Sequence, residues 1–84
     1  MASSGVTLQN VLELSRRAVV LDQEGKQEGA AYFYEQAASA LSILLETDKN
    51  VPAALATKIK EYRDRAASLR ASRKRHVHAS IFVQ

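Results

Sequence analysis

His76 and His78 are the only imidazoles in this chain of 84 residues, and they stand two positions apart near its end. A metal site needs three or four ligands held by a second shell, and no cysteine or nearby carboxylate joins these two. Serine and aspartate are plentiful, but a nucleophilic triad needs its histidine inside the fold, and both lie beyond the periodic part of the sequence. Gly5, Gly25 and Gly29 are too scattered to form a phosphate-cradling loop. Tyr32, Phe33 and Tyr34 are consecutive, so on a helix they fan outwards and cannot build one stacking platform. Arg73-Lys74-Arg75 could meet phosphate groups, but the run is short and has no interleaved aromatics. It reads as a solvated helix end, with no specific nucleic-acid partner expected. The sequence therefore predicts no catalytic residue, no metal and no cofactor, and what remains for its surface is binding.

The elements that must carry such a surface are helical. Ala30, Phe33, Tyr34, Ala37, Leu41, Leu44 and Leu45 recur at steps of three, one, three, four, three and one, the mark of a helix with a broad buried stripe. Ala31 and Ala40 flank that stripe, so this helix can take neighbours on more than one side. It is predicted over about Gln27 to Glu46, as the middle helix of a bundle. Before it, Leu8, Val11, Leu12, Ser15, Ala18, Val19 and Asp22 form the stripe of a first helix from about Thr7 to Glu24, widened by Leu14 and Leu21. Ser3, Ser4 and Thr7 are all suitable N-caps. Ser15 fits a helix contact by bonding back to a carbonyl one turn earlier. Asp22 is expected to reach the following loop or the next helix N-terminus.

Gly25 suits the left-handed position that ends a helix, and so short a connection makes the first two helices antiparallel neighbours. After a second loop at Thr47 to Val51, Pro52 is tolerated only in a first turn. A third helix is predicted from about Pro52 to Arg73. Its Leu55, Ile59, Tyr62, Ala66 and Leu69 make a narrow heptad seam, with Glu61 and Arg65 as an outward i,i+4 pair. The fold expected is all-α, an antiparallel three-helix bundle over 5–72, followed by a basic tail or linker over 73–84. Phe33, Tyr34, Leu41, Leu44, Leu55, Ile59, Tyr62 and Leu69 are its expected core.

Composition agrees with one small globular domain. Hydrophobic residues make up 46% and charged residues 25%, outside the disordered range, and three Gly with one Pro are too few for an all-β chain. There is no cysteine, which favours a reducing compartment for a domain this small. The first residues lack the basic and apolar regions of a signal peptide, and no apolar run is long enough to cross a membrane. A cytoplasmic monomer is expected. The net charge of +3 comes from the end of the chain, where Arg63, Arg65, Arg70, Arg73, Lys74 and Arg75 face the single acid Asp64.

Beside the core seams run lesser stripes: Tyr32, Gln36, Ala40 and Ile43 on the second helix, and Ala56, Arg63, Ala67 and Arg70 on one flank of the third. The other flank of the third carries Ala54, Lys58, Glu61, Arg65 and Ser68. Such stripes are either the rim of the core or the walls of a groove for a partner helix or an extended peptide.

The order Ala18-x-x-x-Asp22, Gly25, Ala30-x-x-x-Tyr34-x-x-Ala37-x-x-x-Leu41 and Tyr62-x-Asp64-Arg65-Ala66-x-x-Leu69 resembles the MIT (microtubule interacting and trafficking) domain over roughly Leu8 to Leu69. The last of these segments is the most specific. The resemblance implies a non-catalytic three-helix module that binds C-terminal tail motifs of ESCRT-III proteins and brings an attached effector to endosomal, membrane-remodelling sites. In that family helical type-1 motifs lie between helices 2 and 3, and extended, proline-containing type-2 motifs between helices 1 and 3. Arg63, Asp64, Ala56, Ala67, Ala40, Ile43, Ser15 and Lys58 are then the expected peptide-binding residues. Three positions depart from the pattern. Arg63 stands where many members have leucine, Ala67 where an acid is common, and Gln27 where an aromatic is frequent. The first two imply poor binding of type-1 motifs. Two other readings stand beside this one: a tetratricopeptide-like piece of a larger scaffold, and a weak binder of anionic membranes through Arg73, Lys74 and Arg75.

Overall fold

The computed structural model describes residues 6–83, with side chains described for residues 6–72. Three helices and one short turn account for almost all of that length: α1 (Leu8–Gln23), α2 (Gln27–Thr47), a 3-10 turn (Ala53–Leu55) and α3 (Ala56–Val83). There is no strand among the described residues. The chain is an all-α, antiparallel three-helix bundle, as its periodicity predicts.

Each boundary has a local cause. Thr7 is the N-cap of α1, and its hydroxyl accepts from the backbone N–H of Asn10 at 3.2 Å while the Asn10 side chain accepts from the Thr7 N–H at 2.9 Å. This reciprocal capping box decides between the three candidate caps. Gly25 has φ +79° and closes α1, as expected of a glycine at that position. Pro52 has extended backbone (ψ 132°) and caps the 3-10 turn, so α3 starts at Ala56, four residues later than the proline rule suggests. Leu55 therefore belongs to the turn, where its N–H reaches the Pro52 carbonyl at 3.0 Å. The helical seam proper starts at Ile59. At its other end α3 does not stop near Arg73 but continues to Val83, because no Gly or Pro interrupts that stretch. The side chains of 73–84, with the basic run and both histidines, lie outside the described residues.

Helix α2 packs along both α1 and α3, while α1 and α3 touch each other little. This explains why Ala31 and Ala38, at the edge of the predicted stripe, have no exposed surface. Two clusters make the core. One joins Ala18, Ala30, Ala31, Tyr34, Ala66 and Leu69; the other joins Val11, Leu41 and Leu44. Tyr62 packs against both, and its ring stacks on Tyr34 with centroids 6.1 Å apart. Of the eight expected core residues, Tyr34, Leu41, Leu44 and Leu69 are buried, while Phe33, Leu55, Ile59 and Tyr62 are half-buried. The half-buried set lies at the margin of α2, in the 3-10 turn and on the early part of α3, packed against the edges of the two clusters.

Leu41 is 2% exposed and sits at the middle of the second cluster. Leu41→Ala should lower stability by ~2–5 kcal/mol, the cost of a buried leucine's transfer plus its cavity. Chemical denaturation followed by circular dichroism measures it; a loss under ~1 kcal/mol contradicts the packing described.

Candidate peptide-binding surfaces

The polar centre of the bundle is Asp22. It lies at the end of α1, half-buried, and Arg65 of α3 grips it from two sides: Nε donates to Oδ2 and Nη2 to Oδ1, both at 2.8 Å. The hydroxyl of Tyr34 on α2 donates to the same Oδ2 at 2.9 Å. One carboxylate thus ties all three helices. Hydrogen bonding by Arg65 holds the Asp22 carboxyl below the usual range, against the opposing effect of its partial burial, and the Tyr34 bond adds to the lowering. Burial first, then the hydrogen bond to Asp22 and that carboxylate's charge, raise the Tyr34 phenol. Arg65 gains from the same hydrogen bond.

Two sequence expectations change here. Asp22 does not turn to the loop or to the start of α2, because a guanidinium offering two aligned donors on α3 is within reach. Arg65 consequently does not pair with Glu61, which meets Lys58 instead at 3.3 Å. Asp22, Tyr34 and Arg65 all stand in the segments that carry the family resemblance. The signal was present in the sequence, but nothing in helical spacing links residues 43 positions apart.

The Asp22–Arg65 bond also fixes which side of α1 faces α3. Leu8, Leu12, Ser15, Val19 and Asp22 follow one another at steps of four, three, four and three, so they share that side. Yet Leu8 is 41%, Leu12 41% and Val19 42% exposed. The row borders an open groove between α1 and α3. Ser15 lies in it half-buried, its hydroxyl donating to the Leu12 carbonyl at 2.9 Å as expected. Across the groove stand Lys58, Glu61 and Arg65.

The other predicted residues fall elsewhere. Ala56, Arg63 and Ala67 are exposed on the opposite flank of α3, together with Arg70, which bonds Glu35 of α2. They border the α2–α3 groove, and the Arg70–Glu35 bridge crosses it. Arg63 has no ion pair among the described residues. Asp64 points away from both grooves and is bonded by Lys60 at 2.7 Å. Ala40 is half-buried and faces α1, sharing a cavity with Asn10 and Leu14. Ile43 is exposed on the outer face of α2. The eight candidates are therefore spread over separate surfaces rather than one. Leu8, Leu12 and Val19 are wall residues of the α1–α3 groove that the sequence reading placed in the core stripe, because hydrophobic periodicity does not distinguish a covered face from an open one.

The family model of the MIT (microtubule interacting and transport) domain matches residues 8–71. This chain belongs to that family. No curated protein and no solved structure matches it. The matched span takes in all of α1 and α2 and the packed part of α3, and it includes Asp22, Tyr34 and Arg65. MIT domains are generally non-catalytic protein-interaction modules.

Asp22 has its carboxyl lowered on folding, so the stability it contributes is present above the unfolded carboxyl value and is lost as pH falls through the folded one. Asp22→Asn should destabilise the bundle by ~1–3 kcal/mol near neutral pH, by weakening charge-assisted hydrogen bonds. The gap between wild type and variant should shrink as pH falls below about 4, where the unfolded carboxyl takes up a proton while the folded one, with its lowered value, still resists it. Urea titrations at several pH values measure it; a gap that stays constant down to pH ~2 contradicts a charged Asp22 as the tie.

Proposed function

We propose that this MIT domain binds C-terminal tail motifs of ESCRT-III proteins, in extended form, in the groove between α1 and α3. The observation that carries this reading is the exposed row Leu8, Leu12 and Val19 facing α3 across a gap spanned, among the described residues, by a single charged contact. A partner chain laid along that row covers apolar surface at ~25 cal/mol per Å² removed from water. The half-buried Ser15 between these residues leaves room for backbone to approach. Lys58 and Arg65 on the facing wall already have carboxylate partners, so the groove selects by shape and apolar contact more than by charge.

The α2–α3 groove suits a leucine-rich helical motif less well. Arg63 places an unneutralised cation on its wall, Ala67 supplies no carboxylate for a basic residue of such a motif, and Arg70–Glu35 crosses the groove. A helix entering there must break that bridge and desolvate Arg63. The attached effector, recruited with its MIT domain, is then carried to endosomal membranes where ESCRT-III filaments assemble. Any membrane contact through Arg73, Lys74 and Arg75 adds to that recruitment as a secondary, salt-sensitive attraction.

Fluorescence anisotropy with two labelled ESCRT-III tail peptides tests this, one extended and proline-containing and one helical and leucine-rich. The extended peptide should bind tighter. Val19→Asp should weaken it about tenfold or more while circular dichroism stays unchanged, because a carboxylate is then desolvated against an apolar ligand. Arg63→Leu should strengthen the helical peptide. Tight wild-type binding of the helical peptide, reduced by Arg63→Leu, would show that Arg63 is itself a contact and that the groove assignment is wrong.

A further inference from the structure

The back of the α1–α2 hairpin carries a surface that neither groove beside α3 uses. Residues Asn10, Leu14 and Arg17 of α1 lie about 180° round the helix from Leu8, Leu12 and Val19. With Val6, Phe33 and Ala40 they line a cavity of about 430 Å³. That falls within the range of ~300–1,000 Å³ typical of ligand pockets. Its apolar wall is Leu14, Phe33 and Ala40. The open face of α1 continues from it past Arg16 and Val20, with Glu13 and Arg17 bordering both. Around this trough Val20 is 50% and Tyr32 52% exposed, and the Tyr32 ring meets Phe33 edge-on at 5.1 Å.

The charges here have a direction. The Arg17 guanidinium carbon lies 5.5 Å from the Phe33 ring centroid, stacked on an aromatic face rather than on a carboxylate. Arg16 beside it has no ion pair or hydrogen-bonded side-chain partner among the described residues. Glu13 is one turn away and pairs with neither. One end of the trough therefore presents two guanidinium groups without a counter-charge, next to an apolar cavity. Stacking leaves the in-plane N–H donors of a guanidinium available, in the fork geometry that fits a carboxylate.

We propose that this outer trough of α1 and α2 is a second docking site, for an acidic peptide segment that seats a bulky apolar side chain in the cavity and its carboxylates on Arg16 and Arg17. The single Glu13 further along the wall sets the polarity, repelling an acid at that end and keeping the acidic residues at the Arg16–Arg17 end. The apolar cavity lies on the far side of α1 from the proposed tail-binding groove, with Arg16 on the outer face between the two, so both are open at once. One chain can then hold two partner segments, or two parts of one partner, with the gain in avidity that linkage gives.

The test uses the whole chain and a labelled peptide with a Glu-Glu-Leu-Phe core, against counterparts with Gln-Gln and Lys-Lys in place of the two acids. The acidic peptide should bind about tenfold tighter than either, and raised salt should narrow that difference. Arg16→Glu, at an exposed residue with no partner to lose, should cost the acidic peptide about tenfold and improve the Lys-Lys peptide. Leu8→Asp, on the groove row but two turns from Arg16, should leave both unaffected, which separates this site from the α1–α3 groove. Amide NMR shifts should map to Asn10, Leu14, Phe33 and Ala40. Equal binding of the three peptides, no saturation of any by about 1 mM, or shifts confined to the Leu8, Leu12 and Val19 side would overturn the proposal.

Discussion

Six alanines without exposed surface set the spacing of this bundle: Ala18 on α1, Ala30, Ala31, Ala37 and Ala38 on α2, and Ala66 on α3. Small side chains at both flanks of α2 let its neighbours approach towards the close end of the usual interaxial range, ~8 Å. The cost is a thin core. Among the described residues Val11, Leu41, Leu44 and Leu69 are the larger aliphatic side chains almost fully enclosed, and the aromatic pair Tyr34 and Tyr62 fills the space where the two clusters meet. With α2 taking most of the contacts, α1 and α3 contribute to the same two clusters but pack little against each other directly. The grooves follow from that arrangement. A bundle with leucines where these alanines stand would push the helices apart and change the width of every groove together.

The geometry also explains the role of the half-buried polar cluster. Asp22, Arg65 and Tyr34 leave no unsatisfied side-chain atom among the described buried groups. Arg65 is nearly half exposed, so the Coulomb attraction is partly screened by solvent, and its contribution to stability is modest. Its larger effect is on alignment. A bidentate guanidinium–carboxylate pair tolerates little sliding, so it sets how far along α3 the end of α1 lies. Without it the two helices meet only through α2, and their relative register would depend on two separate packings of alanine and leucine. The open row of Leu8, Leu12 and Val19 keeps a defined distance from Lys58 and Glu61 because its far end is tied.

Much of the fold was legible because helical period, caps and breakers are local properties. The limits of α1 and α2, the left-handed Gly25 and the back-bonding of Ser15 all follow from residues within about one turn of each other. The start of α3 was less legible, since Pro52 permits either a helical first turn or an extended cap before a 3-10 turn, and both satisfy its missing N–H. The pairing of Arg65 was misplaced for a related reason. Glu61 is a good local partner, but Asp22 offers a less exposed carboxylate with both oxygens aligned, and only the folded chain brings it there. For the candidate surfaces, periodicity identified which residues share a side of a helix. It did not say which sides a neighbour covers, so Leu8, Leu12 and Val19 were assigned inwards.

The distribution of charge relative to these surfaces carries the argument one step further. Lys58, Lys60, Arg65 and Arg70 each have a carboxylate partner, and those partners lie on or between the helices that border the grooves. Surface pairs of this kind contribute little to stability, but they remove the cations from competition for an incoming ligand. Arg16, Arg17 and Arg63 are different, because no carboxylate neutralises them among the described residues. They lie on two separate faces, Arg63 beside the α2–α3 groove and the other two on the back of the hairpin. Cations that already have partners favour an apolar, shape-selected ligand between α1 and α3, whereas unneutralised ones favour acidic ligands elsewhere. A single small bundle can therefore distinguish two kinds of partner segment through which of its arginines are already occupied.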